Sequence, residues 1–177
     1  IIVRSEALEE ELREKLDPLL SPQGMSRLAP LMQQMQEDKV SEEEQHKAKN
    51  RFFQDPERED LNRYLQHRLA IYLGVHEGDK NAPKFASVFV LDRNGNQLAV
   101  AFDDPTTRPT SLGLNVARRS YFHGGAADVP ASTLATGNGD VPHLGETQLS
   151  AIFKSSSQKT WKVAISTPLY RGEGSEE

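Results

Sequence analysis

The sequence predicts an α+β fold in which long helices precede an antiparallel sheet. Through residues 1–75, apolar residues recur every three or four positions, which is the period of an amphipathic helix. After Pro83 the period changes to two, and two pairs of short apolar runs follow, each joined by a turn. The predicted order is therefore helices, hairpin, short helix, hairpin.

Two apolar stripes and a set of capping signals predict the first helices. The first stripe comprises Leu8, Leu12, Leu16 and Leu19. Asp17-Pro18 is expected to end or kink this helix, because proline disfavours helical geometry in the residue before it. Ser21 and Pro22 then suit an N-cap and a first helical position. The second stripe comprises Met25, Leu28, Leu31, Met32 and Met35.

A capping box at Ser41 and Glu44 begins a polar segment that we expect to be solvated. Asp55-Pro56 begins the next helix, and Gly74 is expected to end it. Its inward residues are predicted to be Leu61, Tyr64, Leu65, Leu69, Tyr72 and Leu73. Such a stripe is more often core or dimer seam than cofactor site. We expect its Leu61, Leu65, Leu69 and Tyr72 face to pack on a sheet made by residues 85–102 and 148–170.

The first predicted hairpin joins residues 85–91 and 96–102 through the turn DRNG. Asn94-Gly95 suits a two-residue turn with both central residues at positive φ. Residues 103–113 are predicted to form a loop, followed by a short helix from about Asn115 to Phe122. Residues 124–146 are too polar and too interrupted by glycine and proline for a core element.

The second predicted hairpin joins residues 148–155 and 160–170 through the turn SSQK. Alternation along the last strand places Lys162, Ala164 and Ser166 on one face. The other face carries Trp161, Val163 and Ile165. We expect Trp161 to be core, and Lys162 to be either an exposed strand residue or a cation in a pocket.

Composition indicates one soluble domain, or one domain with a helical appendage: 177 residues, of which 36% are hydrophobic and 27% charged. Residues 1–60 contain 15 acidic and nine basic residues, a net charge of −6, and the remainder carries a net charge of +1. No segment is basic enough to indicate nucleic-acid binding. No apolar run approaches the roughly 18 residues of a membrane span. The Ile1-Ile2-Val3 start predicts that such a span lies immediately before it.

The sequence does not indicate an enzyme, a metal site or a cofactor. The absence of cysteine excludes disulfides, thiol catalysis and cysteine-ligated metals. The five histidines lack metal-ligand spacing, and no phosphate loop or nucleophile elbow is present. Haem binding through His123 is disfavoured, because no Cys-x-x-Cys-His motif accompanies it. A hydrolase is therefore the least favoured class.

The stretch RRSYFHG, residues 118–124, concentrates anion-binding and aromatic groups. The guanidinium of Arg119 offers a fork of donors to a small carboxylate, and Tyr121 and His123 add further polar groups. On a helix, Arg119, Phe122 and His123 would share one side, with Tyr121 elsewhere. The alternative is structural: Tyr121 and Phe122 would anchor the helix to the sheet, and the arginines would cover its rim.

Residues from about 85 to 171 resemble the Cache domain, a PAS-like extracytoplasmic sensor module of bacterial membrane receptors. The stretches that carry the resemblance are SVFVLDRNGNQLAVAF, SLGLNVARRSYFHG and QLSAIFKSSSQKTWKVAISTPLY. The motifs YFHG, LSAIF and WKVAISTPL look closest to the sensors of bacterial transmembrane Ser/Thr kinases. Asp92 matches the family's first turn, Arg119, Tyr121 and Phe122 match its R-x-Y-F segment, and Pro168 ends the fourth strand.

The chain departs from the family pattern at RGEGSEE, residues 171–177, where a central fifth strand should begin. In the family, that strand often carries an Asp that meets ligand amines. The resemblance implies a helical region, residues 1–80, that leads from the membrane. It implies a PAS-like sensor sheet over residues 81–177 with its final strand missing.

The implied function is the sensing of a small, anionic ligand by the periplasmic part of an inner-membrane receptor, with no catalysis by the domain itself. The ligand-binding residues are predicted to be Arg119, Tyr121, Phe122, His123, Lys162 and Ser166. The pocket is expected between the sheet and the loop 103–146. Its rival is internal pairing of Arg119 with Asp103, Asp104 or Asp128. The alternative function is an interaction module that dimerises through the N-terminal helices.

Overall fold

The structure is a computed structural model, and it describes residues 6–130, 142–155 and 157–169. It confirms a mixture of helix and antiparallel strand. The chain divides into two compact units. The helical unit takes in Ile1–Asp92 and Asn96–Leu114, and the hairpin unit takes in Arg93–Gly95 and Asn115–Glu177. The first hairpin thus groups with the helices, whereas the predicted division falls after residue 80.

Four helices precede the strands: α1 (Glu6–Leu20), α2 (Pro22–Gln36), α3 (Glu42–Phe53) and α4 (Pro56–Val75). The predicted helix starts are confirmed. Ser21 Oγ accepts the Gly24 N–H at 3.0 Å, and the Asp55 carboxylate accepts the Arg58 N–H at 3.0 Å. Ser41 and Glu44 form the predicted capping box, and the solvated segment behind it is α3.

Pro18 does not end α1, which continues to Leu20. The proline lies in the last turn, where the Ser21 N–H still reaches the Asp17 carbonyl at 2.9 Å. Close contact between α1 and α2 depends on Gly24, whose hypothetical Cβ would lie 2.2 Å from the Pro18 carbonyl oxygen. A glycine at this position therefore allows the backbones of the two helices to approach directly.

The first hairpin consists of β1 (Ser87–Leu91) and β2 (Gln97–Phe102), which pair antiparallel. α4 contacts both strands, and its Leu61, Leu65 and Leu69 are buried. Two polar side chains of α4 also reach the β2 backbone: Asn62 accepts the Val100 N–H at 3.1 Å, and Gln66 donates to the Phe102 carbonyl at 3.2 Å. The predicted packing of this helix on the first hairpin is confirmed, and every residue of β2 is buried.

The turn of this hairpin differs from the prediction. Gly95 has φ 82°, but Asn94 does not have a positive φ. The prediction of a two-residue turn with both central residues at positive φ is therefore wrong. The loop is longer because the Asp92 carboxylate accepts both the backbone N–H of Asn96, at 2.8 Å, and its side-chain amide, at 2.7 Å. Gly95 is also required sterically, since a Cβ there would lie 2.7 Å from that of Ala117.

The short helix α5 spans only Ser120–His123. The prediction of a helix from Asn115 is wrong, because the side chain of Asn115 accepts the Ala117 N–H at 2.9 Å and so forms a local turn instead. Arg119 has extended geometry, with φ −83° and ψ 140°, and it precedes the helix. The argument that Arg119 shares a helical face with Phe122 and His123 therefore does not apply.

The second hairpin contains four short strands: β3 (Gln148–Leu149), β4 (Phe153–Lys154), β5 (Trp161–Lys162) and β6 (Ile165–Ser166). β3 pairs with β6, and β4 pairs with β5, both antiparallel. Five positions separate Gln148 from Phe153, while four separate their partners Ser166 and Lys162, so one extra residue bulges from the first arm. The second hairpin is confirmed. The predicted four-stranded sheet is not formed by the described strands, which make three two-stranded ladders.

The predicted alternation along the last strand is confirmed, but the assignment of its buried face is wrong. Trp161 is 71% exposed, and Val163 and Ile165 are exposed with it, whereas Ala164 is buried. The reason lies across the ladder, where Phe153 pairs with Lys162 and packs on Tyr121 of α5. That contact turns the Lys162 side of the hairpin inward. Among the described residues, no helix has the length and apolar character needed to cross a bilayer.

Candidate functional site

Arg119 forms an ion pair with Asp128 inside the hairpin unit. Arg119 Nη1 lies 2.6 Å from Asp128 Oδ2, and the other carboxylate oxygen accepts the Ser120 N–H at 2.9 Å. The two charged side chains are 18% and 26% exposed, so solvent reaches both. Of the three acids predicted as internal partners, Asp128 is the one that pairs with Arg119, and one carboxylate thus joins this side chain to the start of α5.

An aromatic surface lies beside this ion pair. The guanidinium carbon of Arg119 is 5.9 Å from the centre of the Phe153 ring, and the rings of Phe153 and Tyr121 are 5.0 Å apart. Lys162 pairs with Phe153 across the hairpin, and its ammonium donates to the Gln158 side chain. The structure therefore gathers Arg119, Tyr121 and Lys162 around Phe153.

The electrostatics of the site favour a neutral phenol beside a charged pair. Burial raises the pKa of Tyr121 to about 12, an effect that the Arg119 charge opposes and the Asp128 charge reinforces. Burial alone would raise the pKa of Asp128, but the Ser120 N–H and Arg119 outweigh it, and the pKa falls below its ordinary value. At neutral pH the site holds one guanidinium, one carboxylate and a protonated tyrosine.

Phe122 and His123 serve the local structure. His123 Nδ1 accepts the Gly125 N–H at 3.0 Å, and Nε2 lies 3.2 Å from the Arg118 carbonyl oxygen. Phe122 is buried, and its carbonyl accepts the Leu144 N–H at 3.0 Å. The contacts of these two residues are therefore with the backbone of Arg118, Gly125 and Leu144. Ser166 pairs with Gln148 at the far end of the hairpin from Phe153.

Two residues of this region were missed by sequence reasoning. Phe153 lies in the stretch AIFKS, but only the hairpin register shows that it lies opposite Lys162 and under Arg119. Ser120 is completely buried, and its hydroxyl has no hydrogen-bond partner among the described residues. Its position between Arg119 and Tyr121 could have identified it, although one serine in a short helix carries little signal on its own.

The helical unit contains an open cavity of about 270 Å³ between α3 and residues 110–114. Its lining combines apolar Met35 and Leu112 with polar Glu42, His46 and Lys49. None of the predicted ligand-binding residues belongs to it. The predicted pocket involves the loop 103–146, of which residues 131–141 lie outside the described residues.

Within the described ranges, no cluster of three or more His, Asp or Glu side chains is arranged to hold a metal ion. Comparison of the chain with protein-family models, with curated proteins and with solved structures yields no match. The likeness to Cache domains therefore depends on the sequence stretches quoted above, and the site must be judged by its own geometry.

Proposed function

We propose that the chain is the ligand-sensing part of a bacterial membrane receptor and that its hairpin unit binds a small anion at Arg119. The observation that carries the proposal is the part-buried Arg119–Asp128 pair beside the Ser120 hydroxyl, for which the described residues supply no hydrogen-bond partner. A buried hydroxyl without a partner is costly, and a ligand that supplies one would remove that cost. The extracytoplasmic location, the membrane tether and dimerisation through the N-terminal helices belong to this proposal, as does the absence of catalysis by the domain itself.

In this mechanism the ligand carboxylate competes with Asp128. Asp128 satisfies two donors, the Arg119 guanidinium and the Ser120 N–H, and a carboxylate of similar shape can take both. Displacing Asp128 would break the link between α5 and the segment from Gly124 to Asp128 that this carboxylate makes. The bond from the Val129 N–H to the Arg118 carbonyl would remain and would still hold the end of the segment near Arg118. Ligand binding then favours a second arrangement of this segment, which is the differential affinity that a sensor needs.

Calorimetry with a panel of small carboxylates tests the proposal on three variants. Arg119→Gln should abolish binding, whereas Asp128→Asn should strengthen it, because the competing charge is removed. Arg51→Gln is the control, since Arg51 is an exposed arginine of the helical unit that lies outside the loop 103–146. Thermal unfolding checks that each variant is folded. A carboxylate that binds wild type and Arg119→Gln equally would show that Arg119 is not the anchor.

The competing function is an interaction module that binds no small molecule. The observation in its favour is the exposed apolar side of the second hairpin, where Trp161, Val163 and Ile165 have no cover from the described residues. If no carboxylate binds a folded protein in which Asp128→Asn has removed the competing negative charge, the anion-sensing proposal fails and this function takes its place.

A further inference from the structure

The second hairpin presents an apolar face, which we define as Leu149, Ile152, Trp161, Val163 and Ile165. These side chains are between 53% and 71% exposed. Leu149 and Ile165 are direct partners across the ladder, so their side chains stand next to each other on one side. Isolated apolar residues are common on protein surfaces, but a contiguous group of this kind indicates a binding surface.

The charged side chains on the two arms of the hairpin and in its turn all have one sign, and the exposed Glu146 lies just before the first arm. Residues 147–169 contain three lysines and no acidic residue, in a chain whose net charge is −5. Lys154 pairs directly with Trp161 across the ladder and is exposed beside it. Lys159 is exposed in the turn that joins the two arms. The end of the hairpin therefore combines one tryptophan with two accessible ammonium groups.

A symmetric contact between two copies of this face would bring the same lysines together. Such a contact is opposed by like-charge repulsion, because residues 147–169 supply no carboxylate to separate the ammonium groups. The occupant that the charge favours is therefore anionic, and the exposed valine, leucine and isoleucines require it to be apolar as well.

We infer that the apolar face binds the surface of a lipid bilayer that carries anionic headgroups. Tryptophan is favoured at the level of the headgroups, and lysine reaches the phosphates while its methylene chain stays in the apolar layer. The neighbouring Trp161 and Lys154 have this arrangement, and the aliphatic residues of the face enter the acyl boundary. The inference is independent of ligand binding at Arg119.

The intact protein can report on its own binding, because Trp161 is its single tryptophan. We would measure its fluorescence with vesicles of phosphatidylcholine alone and of phosphatidylcholine mixed with phosphatidylglycerol. The expected result is a blue shift and weaker quenching by acrylamide with the anionic vesicles, both reversed by high salt. Unchanged emission with both kinds of vesicle would overturn the inference.

Two pairs of variants separate the apolar and electrostatic contributions. Val163→Ser with Ile165→Ser should lower partitioning into anionic vesicles by about tenfold or more. The matched control is Val75→Ser, a valine of the helical unit that is also exposed. Lys154→Gln with Lys159→Gln should lower partitioning by about fivefold for each lysine. Its control is Lys80→Gln with Lys84→Gln, which removes two exposed lysines of the helical unit.

Equal partitioning of the Val163→Ser, Ile165→Ser protein and the wild type would show that the apolar face does not contact lipid. Light scattering without vesicles tests the other possible occupant of the face, a second copy of the chain. A dimer that forms with rising protein concentration, and that the same double substitution abolishes, would assign the face to a second copy and overturn the lipid inference. The Lys154→Gln, Lys159→Gln protein keeps the test valid if the apolar substitutions prevent folding.

Discussion

The two hairpins have similar alternating apolar sequences but differ in burial. Every residue of β2 is buried, and the 20-residue helix α4 both packs on the first hairpin and bonds to the β2 backbone. In the hairpin unit, the four-residue helix α5 contacts one side of the second hairpin, and the other side is exposed. An alternating pattern shows that a strand has an apolar face. Whether that face is buried depends on the element available to cover it.

The largest expected effect concerns the packing of α4 on the first hairpin. Leu65→Ala should destabilise the protein by about 2–5 kcal/mol, because it leaves a cavity in a buried part of α4. Ile71→Ala on the same helix is the control. Ile71 is 42% exposed, so this variant should lose much less stability. Urea unfolding measures both. Equal losses for the two variants would show that α4 does not bury the face on which the comparison depends.

A second prediction concerns the tight packing of the helical unit. Gly24→Ala should cost up to about 3 kcal/mol, because the new methyl group would meet the backbone of Pro18 and Leu19 and the helices would have to separate. Gly74→Ala is the matched control. Apart from its chain neighbours and the backbone of its own helix, no atom of the described residues lies within 4 Å of its hypothetical Cβ, and alanine is the better helix former by up to about 1 kcal/mol. The melting temperature should therefore fall for the first variant and rise slightly for the second.

Much of the fold could be predicted from local signals, because those signals act within a few residues. The helix starts at Ser21, Ser41 and Asp55 follow from side chains that bond to nearby N–H groups. Both hairpins follow from a period of two and a polar turn. The exposed Trp161 could not be predicted in this way. Whether Trp161 is buried depends on which face of the hairpin packs on α5, and tertiary contacts between distant parts of the sequence decide that.

The candidate site shows the same limit. The sequence indicated Arg119 and Tyr121, and it named Asp128 as one of three acids that would satisfy the arginine. It could not select among the acids, since the choice depends on where the segment after α5 returns. The helical-face argument was wrong because the helix begins after Arg119. Phe153, about thirty residues further along the chain, enters the site only through the hairpin register.

A third prediction tests the ion pair that joins α5 to its following segment. Asp128→Asn should cost about 1–2 kcal/mol at neutral pH, since it weakens two charge-assisted hydrogen bonds. The pKa of Asp128 is lowered in the folded protein, so its stabilisation is present above the ordinary value of 3.8 and is lost as the pH falls through the folded value. The stability difference between wild type and variant should shrink in acid. A difference that stayed constant with pH would indicate that the carboxylate charge does not stabilise the fold.

The smallest expected effect concerns the exposed side of the second hairpin. Trp161→Ala should change the free energy of unfolding by no more than about 0.5 kcal/mol, although tryptophan is the largest side chain, because most of its surface is already in water. Phe122→Ala provides the contrast within the same unit: it removes a buried ring and should cost about 3 kcal/mol or more. Tryptophan fluorescence is lost in one variant, so circular dichroism should be used for both. A loss of several kcal/mol for Trp161→Ala would mean that its ring is covered in solution. The difference in burial between the two hairpins would then be far smaller than the structure shows.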